Sequence, residues 1–216
     1  MTKLHLEILD DARRAVFGKL SAYTKTATLA GGTALALQIG HRKSFDFDLF
    51  TPKPIPRTLY KSLQELFGQS PVKHVDTGDQ LTVELASGVE ITFLYYWYPP
   101  LYPTIPTTAI PLCDKRDIAT DKALTIGKRN AWRDYVDFFF LLKYGHISLP
   151  QLIADAEKRF GNEFSRKLFL EQLAYTGDIQ DFSITYIGHP YTPQEISEYL
   201  ESQVKAYVKS TLYSST

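Results

Sequence analysis

Two aspartates, Asp46 and Asp48, flank a single phenylalanine in the stretch LAGGTALALQIGHRKSFDFDLF, and Gly32 of the pair Gly31-Gly32 lies fourteen positions before the first of them. Acids at i and i+2 on a strand point to one face, because side chains alternate with period two. Two carboxylates so placed repel each other, and a hard divalent cation with oxygen ligands, Mg²⁺ or Mn²⁺, relieves that repulsion. The glycines let backbone N–H groups and a helix N-terminus approach a phosphate closely. Together these parts suit phosphoryl transfer, with metal on Asp46 and Asp48 and phosphate at the glycine turn. An Asp-x-Asp by itself is more often a surface or turn feature. The glycine pair upstream, at this distance, is what favours the metal reading.

Other residues add to the candidate site. Arg42 and Ser44 fall in the loop between helix and acid strand, near where a triphosphate should lie, whereas Lys43 reads better as a solvated loop residue. Thr33 at the helix start has two readings, a hydroxyl donor to phosphate or a plain N-terminal residue. Lys122 sits in an otherwise apolar helical stretch, so it must either snorkel or meet an anion. In RDYVDFFFLLK, Asp134 and Asp137 share a helix face at i, i+3. They either serve the site or brace the two lobes, and charge complementing the helix dipole is the simpler reading of Asp134. The five histidines are scattered, only His41 is near the motif, and no zinc spacing occurs. Tyr95, Tyr96, Trp97 and Tyr98 could stack on a base, but their apolar alternation reads first as core.

These residues need elements to position them. Leu4, Ile8, Ala12, Ala15, Val16 and Leu20 recur at near-helical intervals and predict an opening helix over residues 4–22. A short strand over 26–30 feeds the glycine turn. Residues 33–39 form a buried helix ended by Gly40, and 44–50 the acid-bearing strand, with Phe45, Phe47 and Leu49 on one face and Asp46, Asp48 and Phe50 on the other. A helix over 57–67 follows, then a hairpin of 80–85 and 89–95 turning at Ser87-Gly88. Beyond the proline-rich 99–116 the texture is helical: 117–127, 133–143, two stretches within 149–175, and 193–208. The fold class is α+β, a mixed sheet over residues 1–105 with helices on one side, followed by a helical lobe over 106–216 and a cleft between them.

Bulk composition narrows the alternatives. The 216 residues suffice for one domain or two small lobes, and 44% hydrophobic with 13% aromatic content gives ample core. Twenty-four basic residues balance twenty-four acidic ones, so no strongly basic nucleic-acid footprint exists at whole-chain level. The single cysteine, Cys113, excludes an internal disulfide framework and a multi-cysteine zinc site. Neither a leader segment nor an apolar run long enough to span a bilayer is visible, so the expectation is a cytoplasmic protein without a membrane partner.

The Gly-Gly, helix, Asp-x-Asp order resembles the first motif of the nucleotidyltransferase superfamily, the fold of DNA polymerase beta. The string GGTALALQIGHRKSFDFDLF, with RDYVDFFFLLK some ninety residues later, is similar more narrowly to the AbiEii/AbiGii abortive-infection toxin family. The resemblance covers roughly residues 25–145. It implies a nucleotidyltransferase that moves NMP from an NTP to a hydroxyl on tRNA or protein, with a divalent cation and a separate antitoxin. It further implies a phosphate-binding lysine at Lys122, cleft-lining acids at Asp134 and Asp137, one of them the base for the incoming hydroxyl and favoured over Glu90 in that role, and a third carboxylate on the strand GVEITFLYYWYP. There the chain departs from the pattern: the matching position is Thr92, and Glu90 is the local substitute, with an ordinary solvated acid as its other reading. A catalytically degenerate nucleotide- or partner-binding module on the same fold is the alternative.

Overall fold

The structure, a computed structural model, describes residues 3–68, 70–128 and 131–213. They form two compact units that divide between Asp114 and Lys115. In the first unit, helix α1 (Asp11–Lys19) begins at Asp10, whose carboxylate accepts the Arg13 backbone N–H at 2.9 Å. That bond, foremost, holds the Asp10 carboxyl below the usual carboxylate range. The apolar pattern over residues 4–22 is therefore not one helix. It breaks into a 3₁₀ turn at Leu6–Ile8, then α1, then a second 3₁₀ turn at Leu20–Tyr23. The cap at Asp10 starts a new helix within a run whose periodicity looks continuous.

Strand β1 (Thr28–Ala30) leads directly into α2 (Gly31–Ile39), whose Ala/Leu-rich residues Thr33–Leu37 are all buried. Helix α2 stops at Gly40, which takes the left-handed conformation at φ 64°. Then come β2 (Phe47–Thr51), α3 (Leu59–Phe67), β3 (Val72–Asp76), β4 (Gln80–Glu84) and β5 (Glu90–Tyr95). The strands form one sheet in the order β1-β2-β5-β4-β3, with β2 and β5 parallel and the other neighbours antiparallel. The fold is thus mixed α+β. Strand β3 is an addition to the four strands legible in the sequence. It lies at the sheet edge, mostly exposed, and its register shifts between Lys73 and Val75, so no apolar alternation marks it. Charges and a bulge of this kind discourage edge-to-edge association.

One face of the sheet is the core. Phe47, Leu49, Leu81, Val83, Ile91 and Phe93 are buried there. Phe17 of α1 stacks on Phe47 with ring centroids 6.4 Å apart, and Tyr23 meets Phe93 edge-on at 5.0 Å. The outer edge of β1 is covered by a later segment of the same unit: Leu29 N–H donates to the Pro111 carbonyl at 2.9 Å and Cys113 N–H donates to the Leu29 carbonyl at 2.8 Å.

The second unit is helical: α4 (Lys115–Thr125), α5 (Trp132–Lys143), α6 (Leu149–Phe160), α7 (Arg166–Leu173) and α8 (Pro193–Tyr213). Helix α4 packs on α5 and α6, and α8 packs on α5, α6 and α7. Helix α5 is buried at Trp132 and from Asp134 to Leu142, with Phe138 and Phe139 fully enclosed. Helix α8 opens with a reciprocal cap. Thr192 N–H donates to Glu195 Oε2 at 2.8 Å, Glu195 N–H donates to Thr192 Oγ1 at 3.2 Å, and Pro193 takes the first helical position. No described helix is long and apolar enough to cross a membrane.

Candidate active site

Asp46 immediately precedes β2 and Asp48 lies within it. From Asp46 onward the burial alternates, with Asp46, Asp48 and Phe50 partly exposed and Phe47, Leu49 and Thr51 buried. The two carboxylates therefore share the sheet face opposite the core, as the period of a strand dictates. Phe45 does not continue the inward set. It is exposed, and the Arg13 guanidinium lies over its ring at 5.0 Å.

The glycine turn meets this face. Ala30 is the cross-strand partner of Asp48, so α2 begins one residue past the acid. Gly31 has φ 64°, and a β-carbon on it would lie 3.0 Å from Asp48 Cγ and closer still to Oδ2. A β-carbon on Gly32 would lie 2.8 Å from Arg42 Nη2 and 3.4 Å from Ser44 Oγ. The backbone thus comes right up to a carboxylate on one side and to a guanidinium and a hydroxyl on the other, and at Gly31, where φ is also positive, glycine is required. The N–H groups of the first helical turn lie at this same spot, where the helix dipole favours negative charge.

The segment that carries Asp46 is fixed from two sides. The Thr33 hydroxyl, 1% exposed, donates to the Asp46 carbonyl and makes a 2.8 Å hydrogen bond with Ser44 Oγ. Arg13 Nε donates to the Phe45 carbonyl at 2.8 Å, and its guanidinium is paired with Asp10. Arg42, 4% exposed, donates from Nη1 to the Lys43 carbonyl at 3.0 Å. Thr33 therefore acts as a clamp on the acid-bearing segment. Arg13 is a supporting residue that the sequence pattern does not reveal: on the exposed side of α1 it reads as an ordinary surface charge, and only tertiary packing sets it against Phe45.

Thr92 stands next to Asp48 on β5 and opposite Thr82 on β4. Thr82 Oγ1 and Thr92 Oγ1 are 3.1 Å apart, so the position where a third carboxylate would fall is filled by a hydroxyl pair. Glu90 is on the same face. The parallel register, continued one step beyond Phe47 and Ile91, puts Glu90 level with Asp46. Across the hairpin Glu90 faces Glu84, whose carboxylate is 3.0 Å from His74 Nε2.

Lys122, Asp134 and Asp137 come together within the helical unit. Lys122 Nζ is 2.6 Å from Asp134 Oδ1 and 2.7 Å from Asp137 Oδ2, and the three residues are 4%, 1% and 0% exposed. A lysine this buried must meet an anion, and here the anions are these two carboxylates. The same helix α4 carries a second buried group. Arg159 of α6 donates from Nη1 to the Asp117 carbonyl and to Thr120 Oγ1, both at 2.8 Å, and lies 3.0 Å from Asp121 Oδ1. Asp117, Thr120, Asp121 and Arg159 were not singled out by motif; their charges sit at ordinary helical spacing and show their pairing only when α4 and α6 pack.

Among the described residues, no three His, Cys, Asp or Glu side chains are gathered to hold a metal. Two carboxylates on one face nevertheless suit Mg²⁺, which keeps several waters and is commonly held by one or two carboxylates plus substrate phosphates. The Gly31-Gly32 cradle, which a β-carbon would fill, supplies the complementary anion site. The donor set therefore fits a divalent cation carried with a polyphosphate.

Comparison with known proteins bears on the family and the fold. Residues 14–202 match the family model described as nucleotidyl transferase AbiEii toxin, type IV toxin–antitoxin system. An uncharacterized protein of Aquifex aeolicus (strain VF5) is 30% identical over 185 residues, covering 84% of this chain and 88% of its own length. Two solved Helicobacter pylori structures share the fold at 15% identity. One, a candidate nucleotidyltransferase, has a TM-score of 0.59 and covers 94% of this chain and 97% of its own. The other, JHP933, has a TM-score of 0.58 and covers 98% and 93%.

Proposed function

Because the chain belongs to the AbiEii family of nucleotidyltransferase toxins, we propose that it transfers NMP from an NTP to a hydroxyl acceptor, releasing pyrophosphate. The observation that carries this reading is the close approach of Gly31 to Asp48, which joins a helix N-terminus to a carboxylate pair on one sheet face. In this reading Gly31, Gly32, Arg42 and Ser44 receive the phosphates. Thr33 holds Asp46 in place, and Asp46 and Asp48 hold the divalent cation, Mg²⁺ or Mn²⁺. Bound there, the cation would neutralise charge on the reacting phosphates. The acceptor oxygen forms a bond to the α-phosphorus, the bond to the β-phosphate oxygen breaks, and the hydroxyl proton passes to a carboxylate.

For that proton, Glu90 is the residue the geometry favours, since it is partly exposed and shares the face of Asp46. Asp134 and Asp137, with Lys122 between them, act in this reading as the brace of the helical unit. The acceptor is tRNA or protein, and the family's toxin–antitoxin setting brings a cognate antitoxin as partner, in the cytoplasm. The direct test incubates the protein with each labelled NTP, Mg²⁺ or Mn²⁺, and total cellular RNA or protein. Divalent-dependent label transfer is expected. A second reading, a binding module that has lost catalysis, is favoured by the Thr82–Thr92 hydroxyl pair at the third-carboxylate position. It predicts Mg²⁺–NTP binding without transfer.

A further inference from the structure

The face that carries Asp46 and Asp48 continues into aromatic rings. Phe50 is the next residue of β2 on that face, two positions past Asp48, which is roughly 7 Å along a strand. Leu94 is its neighbour on β5, and Tyr96 N–H extends the pairing by donating to the Thr51 carbonyl at 2.9 Å. The Tyr96 ring stacks on Phe50 with centroids 4.1 Å apart and an interplanar angle of 21°. Tyr98 meets Tyr96 edge-on at 5.4 Å, and Trp97, 60% exposed, lies 5.3 Å from Tyr98. Phe50, Tyr96 and Tyr98 are all partly exposed. They are therefore not core residues, unlike Phe47 and Phe93 on the opposite face.

We infer that Phe50, Tyr96 and Tyr98 form the subsite for the nucleobase of the bound nucleotide. This inference rests on the reading of Asp46, Asp48 and the glycine turn as the triphosphate site. The glycine turn, Ser44 and Asp46 lie at one end of the acid-bearing segment and the aromatic group lies at the other, so a nucleotide with its phosphates at the first end extends its base towards the second. Aromatic rings bind bases by their π-faces, which every base has, so the subsite accepts all four bases. It holds the nucleoside end while the charged groups hold the phosphates.

The test compares Mg²⁺–NTP with Mg²⁺–tripolyphosphate, which carries the charges without a base. Phe50→Leu and Tyr96→Leu keep apolar bulk and remove the ring face. Each is expected to weaken NTP binding roughly tenfold, the scale of one base–aromatic stack, and to leave tripolyphosphate binding unchanged. In a Trp132→Phe background Trp97 is the one remaining tryptophan of the two in the chain. Its fluorescence should change with NTP and not with tripolyphosphate. Equal effects of the ring variants on both ligands, or none on either, overturn the subsite while leaving the triphosphate site standing. A wild-type protein that binds neither ligand overturns the triphosphate reading itself. A Trp97 response to oligoribonucleotide alone, with none to mononucleotides, also overturns the proposal and assigns the rings to the acceptor strand.

Discussion

The α-carbon of Gly31 faces the carboxylate of Asp48 so closely that a β-carbon would lie 3.0 Å from Asp48 Cγ. The same glycine has φ 64°, a conformation that costs other residues about 1–2 kcal/mol. Gly31→Ala should therefore lower stability by at least that amount and push the Asp48 side chain off its position. The expected outcome is a lower melting temperature together with weakened Mg²⁺–NTP binding. Gly145→Ala, where φ is 66° but a β-carbon meets nothing within 4 Å, should reproduce the strain without the binding loss. Calorimetry and thermal melts on the two variants separate the effects.

Lys122 is paired with two carboxylates that are 1% and 0% exposed. Lys122→Met keeps much of the side chain and removes the charge, leaving Asp134 and Asp137 buried without their lysine. Breaking a buried pair in this way costs about 3–5 kcal/mol, or on the order of 10 °C in melting temperature for a chain of this size. Asp137→Asn added to Lys122→Met should recover part of the loss, giving a non-additive cycle. Additive losses would mean that the lysine and Asp137 do not depend on each other.

Tyr135 gives the fold an alkaline limit. Its hydroxyl is 3.1 Å from the Tyr175 carbonyl and 3.2 Å from that of Gln172. Burial first, and then the carboxylates of Asp178 and Asp134, push its pKa up to about 12. The folded protein therefore keeps the phenol proton where the unfolded chain, near 10, has lost it. Stability from this group is complete below pH 10 and is lost as the pH rises towards 12. Chemical denaturation between pH 9 and 12 should show a falling midpoint, and Tyr135→Phe should be less stable at pH 8 but flatter across that window.

Glu90 and the two buried aspartates make opposite predictions for transfer. With Glu90 as base, Glu90→Gln should cost on the order of 10²-fold in rate with little change in melting temperature. Asp134→Asn should lower the melting temperature more than the rate constant at a temperature where both proteins are folded. The reverse pattern would return the base to the helical unit. Wild-type transfer in both variants would remove both assignments.

The period of β2, the buried helix after the strand and its stop at Gly40 were legible because each is a local property: alternation, Ala/Leu content and a left-handed cap. The glycine pair, read as a turn before residue 33, is instead the first two residues of α2. Lys122 was legible as a charge needing an anion, and the anions turned out to be Asp134 and Asp137, twelve and fifteen positions on. Strand β3 was not legible, since an exposed edge strand such as VKHVD carries neither alternation nor an apolar run. The break at Asp10 was hidden because apolar spacing continues across the cap. Arg13 on Phe45 and Arg159 on α4 are long-range choices of partner, 32 and 39–42 positions apart, and spacing rules within one helix carry no information about them.

The central claim is that Asp46 and Asp48 hold a divalent cation against the phosphates of a nucleotide at the Gly31-Gly32 turn. Titration calorimetry of Mg²⁺–NTP into the wild type, Asp46→Asn and Asp48→Asn tests it most directly. The account predicts binding that needs the divalent cation, weakened at least tenfold in each variant. The melting temperatures of the metal-free variants should be unchanged or slightly raised, because one of two repelling carboxylates has lost its charge. Unchanged Mg²⁺–NTP affinity in both folded variants would contradict it.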